Sequence, residues 1–470
     1  MAPENFPTTC AAMMNPLLLP EIRIMLSEND AEGMAALVND LHPASVAEFI
    51  EGLSVEEIWA LLSHGAVDRQ ADIFSFLPEE KQTELAEGGG RERMSQLLGA
   101  MSHDDRVDFL KRLDSQAIES ILPLMAKADR EDIRKLLSYP EGSAGSMMTT
   151  DYATLLPDIT VEEAINRLRQ QATQKETIYY IYVTNEDRKL LGFVSLRHLI
   201  LSKLTSLVRD IMQSDVVFVR VDQDQEEVAR IVGKYDFIAI PVVDNDHRIV
   251  GIITHDDALD VVVEEATEDA QRMGGMAPLE EPYLDVPFAT MWWKRSVWLS
   301  CLFIAEFFTF SALARYEDAM KQIVVLAMFT PLCISTGGNS GSQAATLITR
   351  ALALGHINLR TWWTVIRHEV FMGIALGATL GLIGFLRVLA PFLTPGDVIG
   401  HNVDRLMLSL VIGQTVACIC LWGTLVGSIL PMLFTKAGID PGYASSPFVA
   451  TFVDVTGIVI YFSIAQAYLL

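Results

Sequence analysis

Three regimes of hydrophobic patterning follow one another along the chain. From residue 17 to about residue 140, apolar positions recur three and four apart in short stretches, interrupted at Leu41-His42-Pro43, Leu53-Ser54, Leu77-Pro78 and Met101-Ser102. Short amphipathic helices separated by caps and breakers produce this pattern. The stretch from Leu41 to Leu53 and that from Met101 to Leu113 share a cap, an acidic face and a Phe-aliphatic pair, Phe49-Ile50 and Phe109-Leu110. Repeated units of this kind predict an all-α domain built as a small superhelical stack.

Residues 141–265 change period. Ile178-Tyr179-Tyr180-Ile181-Tyr182-Val183 and Leu191-Gly192-Phe193-Val194-Ser195-Leu196 read as two strands around the polar turn Asn185-Glu186-Asp187. The same order returns in Ile238-Ala239-Ile240-Pro241-Val242-Val243, Asp244-Asn245-Asp246 and Val250-Gly251-Ile252-Ile253-Thr254. A strand-turn-strand-helix unit in tandem, at a period of roughly 60 residues, resembles a pair of CBS domains, an α+β module that usually senses ligands.

A connecting segment, residues 266–292, carries Pro278, Pro282 and Pro287, and beyond it the chain becomes apolar. Five membrane crossings are predicted in residues 293–470, at about 293–314, 320–349, 362–390, 406–434 and 446–468. Arg350, Arg360, Arg367 and Lys436 fall in connections on one side, with Lys294 and Arg295 before the first crossing. The positive-inside tendency then puts the N-terminus in the cytoplasm of a multi-pass cell (inner) membrane protein and the C-terminus outside. Arg315, Lys321, Arg387 and Arg405 lie on the other side and weaken the bias.

Charge sharpens this division. Residues 286–470 hold 10 Lys and Arg against 8 Asp and Glu, whereas residues 1–285 hold 25 against 52. All of the net negative charge lies in the part predicted to be cytoplasmic. That excludes nucleic acid as a partner, which needs a basic face, and points to cations. Neither a secretory leader nor paired cysteine spacing is present, so thiolate metal chemistry and disulfides are not expected.

The most informative single residue is Asp454, a carboxylate in the middle of the last predicted crossing. A charge at that depth costs about 2.5–3.5 kcal/mol even on the lenient insertion scale, and marks a functional site by default. Stepping along the helix by three and four from Asp454 reaches Pro447, Ala450, Gly457, Ile458 and Tyr461, which leaves its face mostly small. The second crossing carries Thr330-Pro331 and then Thr336-Gly337-Gly338-Asn339-Ser340-Gly341-Ser342-Gln343, which predicts a weakened helix lining water, while Gly337 and Gly341 also match the small-xxx-small spacing of tight helix packing. Glu317 and Asp318 fall in a predicted outer loop, which reads equally as acids that concentrate cations at a pore mouth and as an ordinary polar loop. Glu369 is expected to pair with Arg367 or His368, and Glu306 has no assigned role. On the cytoplasmic side Asp104 and Asp108 share a helix face, and acids crowd residues 256–269. Hard divalent ions take such oxygen ligands, and Mg²⁺ keeps much of its water.

The order of these parts, with Glu264-Glu265-Ala266-Thr267-Glu268-Asp269, Thr336-Gly337-Gly338-Asn339 and Ser446-Pro447-Phe448-Val449-Ala450-Thr451 leading to Asp454-Val455-Thr456-Gly457, resembles the MgtE family of magnesium channels and transporters from about residue 17 to residue 470. The resemblance implies a homodimer with a pore on its two-fold axis, in which Asp454 is the central cation site, Ala450, Asn339 and Ser446 line the path and Glu317 stands at the outer mouth. It implies a plug helix at about 286–293 and somewhat upstream. It further implies a gate closed by intracellular Mg²⁺ at Asp104, Asp108, Asp236, Asp257, Asp260, Glu265 and Glu268. Some members of the family bind ATP at the CBS pair. Ser446 and Ser342 stand where many members have Asn.

The resulting reading is a Mg²⁺ pathway gated from the cytoplasmic side. The alternative is a transporter of Mn²⁺, Co²⁺ or Zn²⁺ on the same architecture. No softer ligand flanks Asp454, which favours a hard ion. A membrane enzyme would need an activated nucleophile or a paired acid and base, and the sequence offers none. A CBS receptor without a pore would carry no ion flux.

Overall fold

The computed structural model describes residues 18–113, 115–172, 175–279, 283–284, 286–394 and 403–469. The chain divides into two units, residues 1–262 and 263–470.

Among the described residues the first unit opens with ten α-helices, α1 (Leu19–Glu28) to α10 (Lys127–Leu136), and contains no strand before Tyr152. Each break expected from sequence is a helix start. His42 and Ser54 cap α3 (Pro43–Ile50) and α4 (Val55–Leu62), Ser54 in a reciprocal capping box with Glu57, while Pro78 and Ser102 precede α6 (Glu79–Gly88) and α8 (His103–Arg112). These caps satisfy backbone N–H groups that the first turn leaves unpaired. Helices pack on their next-but-one neighbours, α3 on α5 (Val67–Ser75) and α5 on α7 (Arg91–Ala100). Ile50, Leu61, Phe74, Leu97, Phe109 and Leu110 form one continuous buried core.

The tandem repeat is realised as two three-stranded sheets of identical order. β1 (Tyr152–Leu155) runs parallel to β2 (Thr177–Thr184), which is antiparallel to β3 (Leu190–Ser195). β4 (Val219–Arg220), β5 (Ala239–Val243) and β6 (Ile249–Thr254) repeat this. Helices α11 (Val161–Gln171), α12 (Leu196–Leu201), α13 (Val208–Ile211) and α14 (Gln225–Tyr235) cover them, and α15 (His255–Met273) follows β6. The turn residues Arg188 and His247 occupy matching left-handed positions, at φ 63° and 61°. Asn185 and Asp244 stabilise the two turns by accepting hydrogen bonds from the backbone of Lys189 and Arg248 at 2.8 and 2.9 Å. Gly192 and Gly251 sit at the same register in each copy, opposite Val183 and Val242. A Cβ at Gly192 would lie 2.6 Å from the Gln213 carbonyl, and one at Gly251 2.8 Å from that of Thr149. The glycines thus admit an extra bridging segment onto each sheet.

The second unit is helical: α16 (Phe288–Arg315), α17 (Glu317–Gln322), α18 (Val324–Ala353), α19 (Trp362–Leu389), α20 (Arg405–Lys436) and α21 (Ser446–Leu469). Among the described residues, α16, α19 with its preceding turn, α20 and α21 are long and apolar enough to cross a membrane. The 30-residue α18 is long enough, but its Ser, Thr, Gly and Asn run sets it apart from those four.

Four expectations change here. The second crossing does not begin at residue 320, because Ile323, with φ −131° and ψ 84°, separates α17 from α18. Glu317 and Asp318 therefore lie in the first turn of a helix rather than in a loop. No separate helix occupies 286–293: Pro287 caps α16, and among the described residues the helical part of the connection is α15, which continues to Met273. Finally, α18 runs unbroken through Pro331 and the glycines. Its glycines serve the close approach that the small-xxx-small spacing of Gly337 and Gly341 predicts. A Cβ on Gly423 or Gly427 of α20 would collide with the carbonyls of Gly337 and Gly341, and a Cβ on Gly341 would meet the Gly423 carbonyl at 3.0 Å. The two backbones meet at a separation that no larger residue permits.

Candidate functional site

Close packing of α18 on α20 and on α21 decides what the polar face of α18 looks at. Thr330, Pro331, Ile334, Ser335, Gly338, Asn339 and Ser342, spaced along one helix face, line an open cavity of about 360 Å³ together with Ala450 and Asp454 of α21. The Cβ position of Gly338 is 3.5 Å from Asp454 Oδ1 and 3.4 Å from the Ala450 side chain. A larger residue would shield the carboxylate. Among the described residues no hydrogen bond or ion pair reaches the Asp454 carboxylate, which is half-buried at the cavity wall.

Neighbouring bonds fix the frame around it. Trp422 Nε1 donates to Thr456 Oγ1 at 2.8 Å, and the buried Tyr461 hydroxyl donates to the Leu326 carbonyl at 2.9 Å. Ser342 Oγ donates to the Ser446 carbonyl at 3.1 Å, and Asn339 Nδ2 to Ser335 Oγ at 3.4 Å. The structure therefore brings together Asp454, Ala450 and Asn339, with Ser446 joined through Ser342. Thr330 and Ser335 are lining residues that the sequence did not single out; for Ser335 the four-residue spacing from Asn339 was the available signal, whereas Thr330 lies at the other edge of the lining stripe. Glu317 does not line this cavity. It forms an ion pair with Lys321 at 2.6 Å, on the exposed face of α17. Glu369 is paired with His368 at 3.5 Å.

The acids of the first unit separate into groups. Asp104, in the first turn of α8, is 8 % exposed and its Oδ1 has no hydrogen-bond partner. Burial, followed by Asp105, pushes its carboxyl up to about 6. Asp257 is pushed up to about 8 by burial and then by Asp104 and Asp256, although Thr254 donates to its Oδ2 at 2.6 Å. Asp260 is raised by burial, Asp256 and Asp105. Glu176 joins them: its side chain still reaches solvent, yet burial of the carboxyl and the charges of Asp104, Asp256, Asp105 and Asp151 push it up to about 7. Glu176 lies alone in sequence, at the entrance to β2, and nothing in its surroundings there marks it.

Asp108 and Asp236 stand apart from that group. Asp108 is paired with Lys111 at 2.7 Å, and Asp236 closes α14 in the left-handed conformation at φ 53°. A further clasp went unread in the sequence. His103 bridges Asp132 at 2.8 Å and Asp151 at 3.3 Å, so α8 is tied both to α10 and to the first CBS copy. Burial raises the Asp132 carboxyl, but the hydrogen bond and charge of His103 outweigh it and hold the group below its ordinary value.

Glu265 and Glu268 belong to the second unit. Glu268 is engaged by Arg272 one turn on, and Arg272 also reaches Asp440. Asp269 is raised by burial, Asp440 and Glu265, against the pull of Arg350. Among the described residues no three Asp, Glu, His or Cys side chains converge closely enough to enclose a bare ion. The buried, unpartnered Oδ1 of Asp104 beside Asp257 does suit a hydrated cation, because a shell of bound water spans gaps that direct ligation would not.

Between the two CBS copies lies a cavity of about 140 Å³ lined by aromatic and small residues, among them Tyr180, Phe193, Phe237 and Pro241. Tyr182 adds a buried hydroxyl with no hydrogen-bond partner.

Comparison with known proteins agrees with each part. Residues 330–464 match the family described as divalent cation transporter, residues 41–142 the MgtE intracellular N domain, and residues 144–203 and 208–264 the CBS domain. The chain is 36 % identical over 458 residues to the magnesium transporter MgtE of Thermus thermophilus, covering 96 % of this chain and 99 % of that one. It is 30 % identical to the Bacillus subtilis magnesium transporter MgtE, covering 96 % and 97 %. The crystal structure of the soluble part of a magnesium transporter superposes with a TM-score of 0.51 at 31 % identity, covering 54 % of this chain and all of the other. On matches of this extent over both its cytoplasmic-type and its membrane-type parts, the chain belongs to the MgtE family of divalent cation transporters.

Proposed function

We propose that this protein is a gated Mg²⁺ pathway of the cell membrane, in which Asp454 is the central cation site. The observation that carries the reading is the unpaired Asp454 carboxylate at the wall of a cavity whose other lining includes three hydroxyls and an amide, beside Pro331, Ile334, Gly338 and Ala450. An unpaired charge at membrane depth needs a counter-ion, and a passing cation supplies one without a permanent partner. Mg²⁺ dehydrates reluctantly, so one carboxylate and several neutral oxygens suit it better than a closed cage of ligands. The magnesium transporters of T. thermophilus and B. subtilis match this chain almost end to end, which supports the same cargo.

In this proposal α18 is a fifth crossing beside the four apolar helices, its polar face turned to the path. Five crossings place the N-terminus in the cytoplasm and the C-terminus outside. Two copies of the chain face each other across the open cavity and each contributes Asp454. The N-terminal helices form a superhelical stack whose acids meet those of the CBS pair. Intracellular Mg²⁺ at Asp104, Asp257 and Asp260, with Glu176, neutralises their mutual repulsion and closes the gate. The aromatic cleft between the CBS copies is the place for a nucleotide such as ATP, with the Tyr182 hydroxyl available to a base edge.

The test is flux of Mg²⁺ into liposomes containing the purified protein, with Mn²⁺, Co²⁺ and Zn²⁺ as competitors. Mg²⁺ entry that Asp454→Asn abolishes is expected. Entry unchanged in that variant overturns the assignment of Asp454, and preferential block by a softer ion replaces Mg²⁺ as the cargo.

A further inference from the structure

The end of α15 is fastened to the loop that launches α21, and the fastener is an arginine. Arg272 lies in the last turn of α15 and places its two terminal nitrogens on two carboxylates, Nη2 on Glu268 of its own helix and Nη1 on Asp440. Asp440 lies between α20 and α21, only six residues before α21 begins at Ser446. The Tyr443 ring stacks against the guanidinium, 5.6 Å from its centre. Gly442 makes room for the contact, since a Cβ there would lie 3.1 Å from Arg272 Cβ.

The loop is stiff enough to pass a displacement on. Asp440 Oδ1 accepts from the Gly442 backbone at 2.6 Å, residues 441–443 form a 3-10 turn, and the Ser445 carbonyl accepts from Val449 at 3.0 Å in the first turn of α21. A second attachment follows immediately. Gly275, at φ +76°, turns the chain after α15, and a Cβ there would lie 2.7 Å from Trp298 Nε1 and 3.3 Å from Pro447. Beside the joint a cavity of about 300 Å³, bounded by Arg272, Met276, Trp293, Trp298 and Tyr443, leaves it space to shift.

A guanidinium shared between two carboxylates from different elements holds them in one geometry. Without it, Glu268 and Asp440 would face each other as like charges. We propose that Arg272 is the positioning residue that couples the end of α15 to the pore helix α21, so that movement of α15 reaches Ser446, Ala450 and Asp454. The inference rests on the gated-pathway reading above and assigns its mechanical link.

The test uses the full-length protein in liposomes, in a background without native cysteines and with Ile439→Cys as a reporter. Ile439 is 46 % exposed and neighbours Asp440. Parent, Arg272→Ala, Arg272→Lys and Asp440→Asn are compared at low and high internal Mg²⁺ for Mg²⁺ flux and for maleimide labelling at position 439. Asp440→Asn preserves the acceptor for Gly442 and removes only the charge, so it keeps the test valid if the alanine variant does not fold. The expected result is that the ratio of flux, and of labelling rate, between the two Mg²⁺ levels falls about fivefold or more in Arg272→Ala and Asp440→Asn. Arg272→Lys recovers most of it, while Mg²⁺ protection of the N-terminal helices from protease is the same in all. A parent-like ratio in Asp440→Asn overturns the proposal, as does a parent whose labelling ignores Mg²⁺. A parent that shows Mg²⁺-dependent labelling but no flux overturns the transport reading and leaves the coupling standing.

Discussion

The hydroxyl of Ser342 on α18 donates to the backbone carbonyl of Ser446, 3.1 Å away in the first turn of α21. One short side chain thus joins the two helices that frame the Asp454 cavity, at positions where a longer amide would protrude into the path. Ser342→Ala is expected to lower stability by about 0.5–1.5 kcal/mol, the ordinary worth of such a bond, read as a fall in melting temperature in detergent. Ser342→Asn is expected to narrow the cavity and shift the relative flux of Mg²⁺ and larger divalent ions. Identical ion ratios in both variants would show that this end of the cavity does not select.

Asp454→Asn keeps the shape of the side chain and removes its charge. If attraction of the carboxylate for the ion is comparable to the roughly 2.5–3.5 kcal/mol needed to hold a charge at that depth, flux should fall about a hundredfold, at 1.4 kcal/mol per decade. Expression level and elution volume should not change. Asp454→Glu should retain part of the flux, since it restores the charge on a longer arm.

The buried acids give the regulatory unit a pH dependence of definite sign. Asp104 and Asp257 are raised to about 6 and about 8, from an ordinary value of 3.8 in the unfolded chain. Groups raised in the folded state bind protons more tightly there, so their contribution to stability is complete below about pH 4 and is lost as pH climbs through 6 towards 8. Without Mg²⁺, protease resistance of the N-terminal helices should therefore decline over that window. Added Mg²⁺ should restore it at the alkaline end and do little at the acid end. Asp257→Asn should flatten the upper part of the curve, and a curve unchanged by that substitution would remove Asp257 from the sensor.

Gly423→Ala and Gly427→Ala test the close approach of α18 and α20. Each new methyl would meet a carbonyl of α18. Overpacking of this kind costs about 1–3 kcal/mol, and the helices must separate to relieve it. Both variants should melt at lower temperature and show reduced flux, although neither residue touches the cavity. Gly438→Ala offers a contrast, because nothing lies within 4 Å of its Cβ position and the strain there comes only from φ +73°.

Much of this architecture was legible in the chain because local chemistry determines it. Caps at His42 and Ser54, the matching turns at Asn185 and Asp244, and the alternation of strand residues depend on neighbours a few positions away. So does the significance of Asp454, since a carboxylate within an apolar helix is anomalous whatever surrounds it. The resemblance carried by the Gly-Gly-Asn and Asp454 stretches added the cargo and the gate. The faces of α18 and α21 that meet were also readable in part, because helical spacing alone puts Asn339 with Ser335 and Asp454 with Ala450.

Only the tertiary structure decided which distant groups meet, because pairing across long stretches of chain leaves no periodic trace in the sequence. The spacing of Gly337 and Gly341 allows tight packing already in one dimension, but only the fold shows that the partner is α20, at Gly423 and Gly427. Glu176 comes under the charges of Asp104 and Asp256 only when the entrance to β2 is brought near the starts of α8 and α15. Glu317, read as an open acid, acquires Lys321 once its segment is helical. Arg272 and Asp440 lie 168 residues apart, and each is an ordinary charged residue until the fold puts one carboxylate on either side of the guanidinium.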